Sequence, residues 1–264
     1  MTDAANPADD ERMRRFREKI AEFEEERAQG RRKPTLWERI EGPGRGPRPA
    51  LTHEQIARAA VEIADAEGLS AVSMRRLAER LGVATMGLYR YVTGKDEVYE
   101  LMLDAVLAEI DLPDGGWREV ADGYARQFRA LSLRHPWTIQ AFARVPASLS
   151  PNSVALTERA LTSIEGLGLD VDTMMAAFGA VTSFARGAVF AEVAQREVLE
   201  RKGWESEDDV RLAYAPWVRW MLDSGRYPAL GRYILEGSNQ DDADWQFEFG
   251  LTCVLDGISA RLGI

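Results

Sequence analysis

LTHEQIARAAVEIADAEGLSAVSMRRLAERLGVATMGLYRYVTGKDEVYELMLDAVLAEI, residues 51–110, reads as four helical segments in tandem, the middle two joined by a very short turn. Thr52, followed three residues on by Gln55, is a capping-box pair, and apolar positions recur behind it at Ile56, Ala60, Ile63 and Ala64. Gly68 closes that helix, since glycine enters a left-handed cap without a Cβ clash. Ser73 caps a short second helix over residues 74–81, Gly82 stops it, and a third begins within two or three residues and runs to about Tyr91. Helix, tight glycine turn, helix is the helix-turn-helix pattern. In such a unit the first helix of the pair crosses the phosphate backbone while the second lies in the major groove.

The second helix of the pair is ATMGLYRY. Leu88 is its apolar anchor, leaving Thr85, Met86, Gly87, Tyr89, Arg90 and Tyr91 for the outer faces. Thr85 and Arg90 offer hydrogen bonds, Met86 suits a thymine methyl, and Gly87 permits close approach. Arg75, near the start of the preceding helix beside Ser73, can reach a guanine, a pairing that gives about 1–3 kcal/mol of discrimination. Tyr89, Tyr91 and Lys95 suit phosphate contacts, which position a protein without reading sequence. A glycine turn between helices also fits a plain hairpin in an unrelated bundle. The whole block separates the two readings: a capped first helix, a GL connector, RRLAERLGV, LYRYV, and GKDEVYELM restarting a helix with acids in its first turn.

On those motifs, residues 51–110 resemble, without a gap, the tetracycline-repressor family of bacterial transcription regulators. The resemblance implies a three-helix reading head followed by a larger helical domain that binds a ligand and dimerises. A looser resemblance continues through the GGW-to-HPW region and the FEFGL…LDGI ending, which are similar to the regulatory domain of the tetracycline-repressor subgroup, where the corresponding helices form an intersubunit four-helix bundle. In that subgroup's namesake, histidine and glutamate side chains grip a magnesium–drug chelate. The matching places here are Ala141, Ser183 and Ala191, which offer no adequate set of oxygen donors for a hard cation. The expected effector is therefore a larger, mostly apolar molecule and not tetracycline–magnesium, with no cofactor or metal.

Composition limits the reading further. The chain of 264 residues carries 33 basic and 43 acidic side chains, a net charge of −10, so it is no bulk polycation. Residues 1–30 hold 6 basic and 9 acidic groups, residues 31–100 hold 12 and 10, and the remainder holds 15 and 24. Only the middle segment can meet phosphate without net repulsion. The single cysteine, Cys253, excludes an intramolecular disulfide and suits a reducing cytoplasm; its place on an apolar helical stripe favours a packed thiol. No apolar run is expected to reach a membrane span, and the acidic N-terminus does not read as a signal peptide.

Three parts are expected: an extension over 1–49, the reading head over 50–97 and a regulatory and dimerisation domain over 98–264. In the extension MTDAANPADD suits disorder, and ERMRRFREKIAEFEEERAQ suits a helix with a thin stripe of Met13, Phe16, Ile20 and Phe23, either solvated or docked on the head or a partner. GRRKPTLWERIEGPGRGPRPA follows without periodicity. Its Trp37 suits a docking anchor, and Arg45 and Arg48 suit phosphate or minor-groove contacts of an N-terminal arm.

Beyond residue 112 the pattern stays helical, over 117–134, 137–143, 152–165, 172–201, from 215 to 223, and 242–262, with RKGWESEDDV read as a mobile acidic linker. No stretch alternates as a strand does, so the chain is all-α. Gly179, Ala180 and Gly187 in one helix and Gly250, Gly257 and Ala260 in the last permit close packing, internal or between subunits. Tyr124, Phe128, Trp137, Phe142, Met174, Met175, Phe178, Ser183 and Phe184 are candidates to line an effector cavity, although a methionine and aromatic stripe more often makes plain core. An enzyme is not expected. His53 and His135 stand alone, GRGP and GKDE do not make a phosphate loop, and the acid pairs at 208–209 and 241–242 suit solvated loops. The function expected is thus a homodimeric repressor that binds a palindromic operator in double-stranded DNA and answers to a small molecule. An activator, a ligand-independent architectural DNA binder and a ligand-binding module with vestigial heads are the alternatives.

Overall fold

The computed structural model describes residues 7–31, 33–42, 51–145, 149–204 and 206–264. All regular structure among them is helical, as the sequence pattern predicts. The chain divides into two compact units, residues 1–50 and 51–264.

In the first unit, α1 (Pro7–Ala28) begins earlier than the expected start at Glu11. Its Met13, Phe16, Ile20 and Phe23 are exposed, and Glu11 pairs with Arg14 and Arg15 across one turn. The stretch expected to lack structure contains α2 (Leu36–Glu41), because Thr35 and Glu38 form a reciprocal capping box. Trp37 is half-buried there beside a buried Leu36. Arg45 and Arg48 lie outside the described residues.

The second unit opens with the reading head. Helix α3 (His53–Glu67) starts on the Thr52–Gln55 capping box and buries Ile56, Ala60, Ile63 and Ala64, the predicted stripe. Helix α4 (Met74–Leu81) is capped by Ser73, whose hydroxyl accepts the Arg76 N–H. Gly82 ends it at φ +67°, a left-handed conformation that costs a Cβ-bearing residue energy. Helix α5 spans only Thr85–Leu88, shorter than the reading to Tyr91. Ala84 provides no side-chain cap, glycine at 87 costs about 1 kcal/mol of helix propensity, and residues 89–91 continue as hydrogen-bonded turns. Helix α6 (Lys95–Leu107) packs on α3 and runs out of the head, so the boundary expected at 97/98 falls inside a continuous helix.

The regulatory helices are α7 (Trp117–Arg134), α8 (Thr138–Arg144), α9 (Pro151–Ile164), α10 (Val171–Lys202), α11 (Glu207–Asp223), α12 (Pro228–Glu236) and α13 (Ala243–Leu262). Helix α10 is the spine. At about 1.5 Å per residue its 32 residues extend about 48 Å. It buries a ridge of Ala177, Val181, Ala185, Val189 and Val193, every fourth residue, and packs chiefly on α7 and α13.

Several expectations fail in this half. Most of the linker expected over 201–210 is helical: α10 runs to Lys202, Gly203 turns the chain at φ +64°, and Ser206 with Asp209 forms a capping box that starts α11 eight residues before the expected 215. The acids at 208–209 are therefore helical, whereas Asp241 and Asp242 lie in an exposed loop as expected, the first paired with Arg211 and the second capping α13. Helix α12 has no counterpart in the sequence reading; its Pro228 stands in the first turn, where a missing N–H costs nothing. Helix α10 is, by length and composition, apolar enough to cross a membrane, contrary to the expectation that no run reaches that length. Its apolarity serves packing on α7 and α13 along one face. Cys253 is exposed on this chain and not packed in its core, since it points away from the buried ridge of Phe247, Leu251 and Leu255.

Candidate nucleic-acid interface and effector cavity

Leu88 is fully buried, as its role of anchor requires, and around it Met86, Tyr89 and Arg90 are exposed while Thr85, Gly87 and Tyr91 are half-buried. Met86 is 76% exposed and free to meet a partner from the outer face of α5. Ser73 and Arg75 are exposed at the start of α4. The remaining cations of α4 are committed elsewhere: Arg76 pairs with Glu67 and Arg80 with Glu62, tying α4 to α3. Arg75 touches only Glu79 one turn along, at 3.2 Å and largely in solvent, a pair that contributes about 0–1 kcal/mol and is easily exchanged for phosphate. Lys95 lies over the Tyr99 ring at 5.3 Å.

Sequence reasoning missed what holds the turn after α5. The Nε2–H of His53 donates to the Tyr91 carbonyl at 3.1 Å, and the two rings meet edge-on at 5.9 Å. The start of α3 thereby fixes the direction in which Tyr89, Arg90 and Tyr91 leave the head. Nothing local in the sequence marks this bond, which spans 38 positions.

A second polar clasp joins the head to the regulatory helices. Asp65 of α3 accepts from His135 Nδ1–H at 2.7 Å and from the Trp137 indole N–H at 2.6 Å. His135 Nε2 is buried 3.5 Å from Glu109, too far for a good hydrogen bond. Trp137, predicted to line the cavity, is thus a buried structural residue, with its N–H committed to the head.

The predicted aromatic set is only partly assembled into a cavity. Tyr124, Phe142, Met175 and Phe178 line a space of about 180 Å³ together with Leu107, Ser153, Leu156, Thr157, Gly179, Thr182 and Arg186. About 150 Å³ suffices to hold benzene, and half-exposed Met175 stands at the rim. Phe128 lies behind this wall, stacked 5.8 Å from Tyr124 and tilted against Phe142 at 5.8 Å. Met174 faces a separate crevice of about 20 Å³ beside Trp117. Ser183 is exposed and Phe184 turns to α13, where it meets Phe247 at 5.6 Å and occupies the space a side chain at Gly250 would need. These two do not line the cavity, because α10 carries them on faces other than that of Phe178 and Thr182.

Arg186 is a cavity-lining residue that sequence reasoning missed. Its guanidinium lies 5.0 Å over the Phe142 ring and is close enough to the Tyr124 phenol to act on its charge. Burial pushes that phenol's pKa up against the opposing pull of Arg186, so the phenol stays protonated and can donate. A signal for it exists in the sequence: Arg186 is the only charged residue from 173 to 191.

A larger open groove, about 1240 Å³, lies among α10, α11, α12 and the start of α13. Its charges are spent on one another, Arg129 with Glu192 at 2.9 Å and Asp244 at 2.6 Å, and Arg211 with Asp241 at 2.9 Å. Among the described residues no group of three or more His, Cys, Asp or Glu could hold a metal ion.

With this geometry in place, comparison with known proteins is informative. The family of bacterial regulatory proteins called tetR matches residues 56–102, and the tetracyclin repressor-like C-terminal domain matches residues 109–262. The chain is 40% identical over 227 residues, 84% of its length and 83% of the relative's, to the HTH-type transcriptional repressor DrrR1 of Streptomyces coeruleorubidus. It is 33% identical over 235 residues, 87% of its length and 93% of the relative's, to an HTH-type transcriptional regulator of Saccharopolyspora erythraea. Among solved structures, the TetR family protein ActR of Streptomyces coelicolor in complex with actinorhodin superposes with a TM-score of 0.66 at 26% identity, covering 81% of this chain and 98% of that one. The chain therefore belongs to the tetracycline-repressor family of bacterial transcription regulators.

Proposed function

We propose that the protein is a cytoplasmic, homodimeric repressor that binds a two-fold symmetric operator and is released from it by a small molecule held among α7–α10. It is a binding protein, not an enzyme. The observation that carries the reading is the outward face of α4 and α5. Arg75, Met86, Tyr89 and Arg90 are exposed there, while Arg76 and Arg80 are neutralised behind them. Ser73, Thr85, Gly87, Tyr91 and Lys95 complete the DNA-facing set, with Arg45 and Arg48 as an arm. The name of DrrR1 as a repressor and the actinorhodin complex of ActR support the sign and the ligand dependence.

Dimerisation follows from surface and geometry together. Phe190, Trp217, Trp220, Tyr233 and Phe249 are exposed on α10–α13, large apolar side chains that a partner subunit would cover. Two heads must also meet successive major grooves about 34–36 Å apart. The ligand favours a state in which that spacing is lost, a coupling of about 1–3 kcal/mol. Two connections lead from cavity to head: α6, which lines the cavity with Leu107 and packs on α3, and α8, which carries Phe142 and begins at the clasp on Asp65.

Selection of bound duplexes from a random pool tests the reading. Paired half-sites in two-fold arrangement, one dimer per duplex, are expected. Absence of any enriched sequence contradicts it, and transcription that rises on binding reverses the sign.

A further inference from the structure

The cavity among α7–α10 is unbalanced in its hydrogen-bonding chemistry. Among the described residues its lining contains one cation, Arg186, and no carboxylate. Two of its hydroxyls have already given their protons to backbone carbonyls, Thr157 to Ser153 at 3.0 Å and Thr182 to Gly179 at 3.1 Å. The donors left to a ligand are the Arg186 guanidinium, the only charged one, with the hydroxyls of Tyr124 and Ser153 among the described lining residues. Three aromatic side chains, Tyr124, Phe142 and Phe178, form the remaining wall, with Phe178 edge-on to Tyr124 at 5.2 Å. A guanidinium set over an aromatic ring, exposed and with no acid of the described residues paired with it, complements an anion, to which it gives charge-assisted hydrogen bonds. The large groove among α10–α13 offers the contrast, since there each of Arg129 and Arg211 already has its carboxylates.

We propose that the effector is a planar aromatic molecule bearing an anionic oxygen, a carboxylate or an ionised phenol, and that Arg186 is the residue that selects it. This rests on the reading of the cavity as the effector site. The ring system lies against Phe142 and Phe178 while the acid takes the guanidinium and the phenol proton. The mostly apolar effector expected from sequence thereby gains one charged group.

The test uses the full-length protein and a matched probe pair, 1-hydroxy-2-naphthoate and its neutral methyl ester, followed by ligand fluorescence. The wild-type protein is expected to bind the acid more tightly than the ester. Arg186→Gln should weaken the acid by about tenfold or more, as loss of a charge-assisted bond does, and leave the ester unchanged, while Arg186→Lys retains part of the preference. Thr182→Trp, which fills the cavity, should abolish both. If Thr182→Trp blocks both probes but Arg186→Gln affects them equally or not at all, the anion selection is overturned and the cavity reading survives. If neither probe binds, or Thr182→Trp leaves both bound, the cavity reading falls and the selection with it.

Discussion

The reading head and the regulatory helices use apolar and charged residues in opposite ways. In residues 51–107 the apolar positions close on themselves, Ile56, Leu77, Leu88, Val92 and Met102 being essentially inaccessible, and two of the exposed arginines, Arg76 and Arg80, are paired with acids of α3. Across α10–α13 the chain instead leaves Phe190, Trp217, Trp220 and Phe249 in solvent, and the buried ridge of α10 is one residue wide. Local caps and a small core complete the head as a single chain. The regulatory half keeps large apolar side chains exposed on the single chain, the surface that the proposed dimer would cover.

This contrast is sharpest at Leu88. Replacement by alanine should cost about 2–5 kcal/mol in urea unfolding, and abolish DNA binding; a cost below about 1 kcal/mol would break the picture of a self-contained head. Gly250→Val is the matching probe of the regulatory half, since a Cβ at that position stands 2.5 Å from the Phe184 ring. Overpacking of this kind costs about 1–3 kcal/mol, and the loss should be accompanied by weaker dimerisation in sedimentation. Between the two regions, Asp65→Ala leaves the buried His135 and Trp137 N–H groups without their acceptor. A destabilisation of about 1–3 kcal/mol is expected, together with a shifted effector dose for release from DNA. Stability loss with an unshifted dose would confine the clasp to structure. The smallest effect belongs to the extension: deletion of residues 1–49 should weaken operator affinity and lower the salt slope by about 0.9 for each phosphate that is no longer neutralised, measured by anisotropy across a salt series.

Legibility in the sequence follows the same division. The head is legible because its signals are short-range: Thr52 with Gln55, Ser73 with Arg76, and Gly82 each act within four residues. The same kind of signal, Ser206 with Asp209, is present in the regulatory half but is masked there by the acidic composition around it. Residues whose roles depend on distant partners are not legible. Trp137 belongs to Asp65, 72 positions away, and Phe184 belongs to Phe247 and Gly250. Aromatic spacing alone does not distinguish them from Tyr124, Phe142 and Phe178, which do share the cavity. Cys253 misleads for a related reason: apolar neighbours on α13 serve a surface as readily as a core.

The central claim is that the outward face of α4 and α5 reads DNA. Affinities of Arg75→Ala, Tyr89→Ala and Arg90→Ala proteins for the duplex recovered by selection test it most directly, with dimer content measured alongside. The account predicts specific binding weakened by about 1–3 kcal/mol for a base-contacting arginine, with the dimer and its thermal stability intact. Unaltered specific binding in all three variants would contradict it.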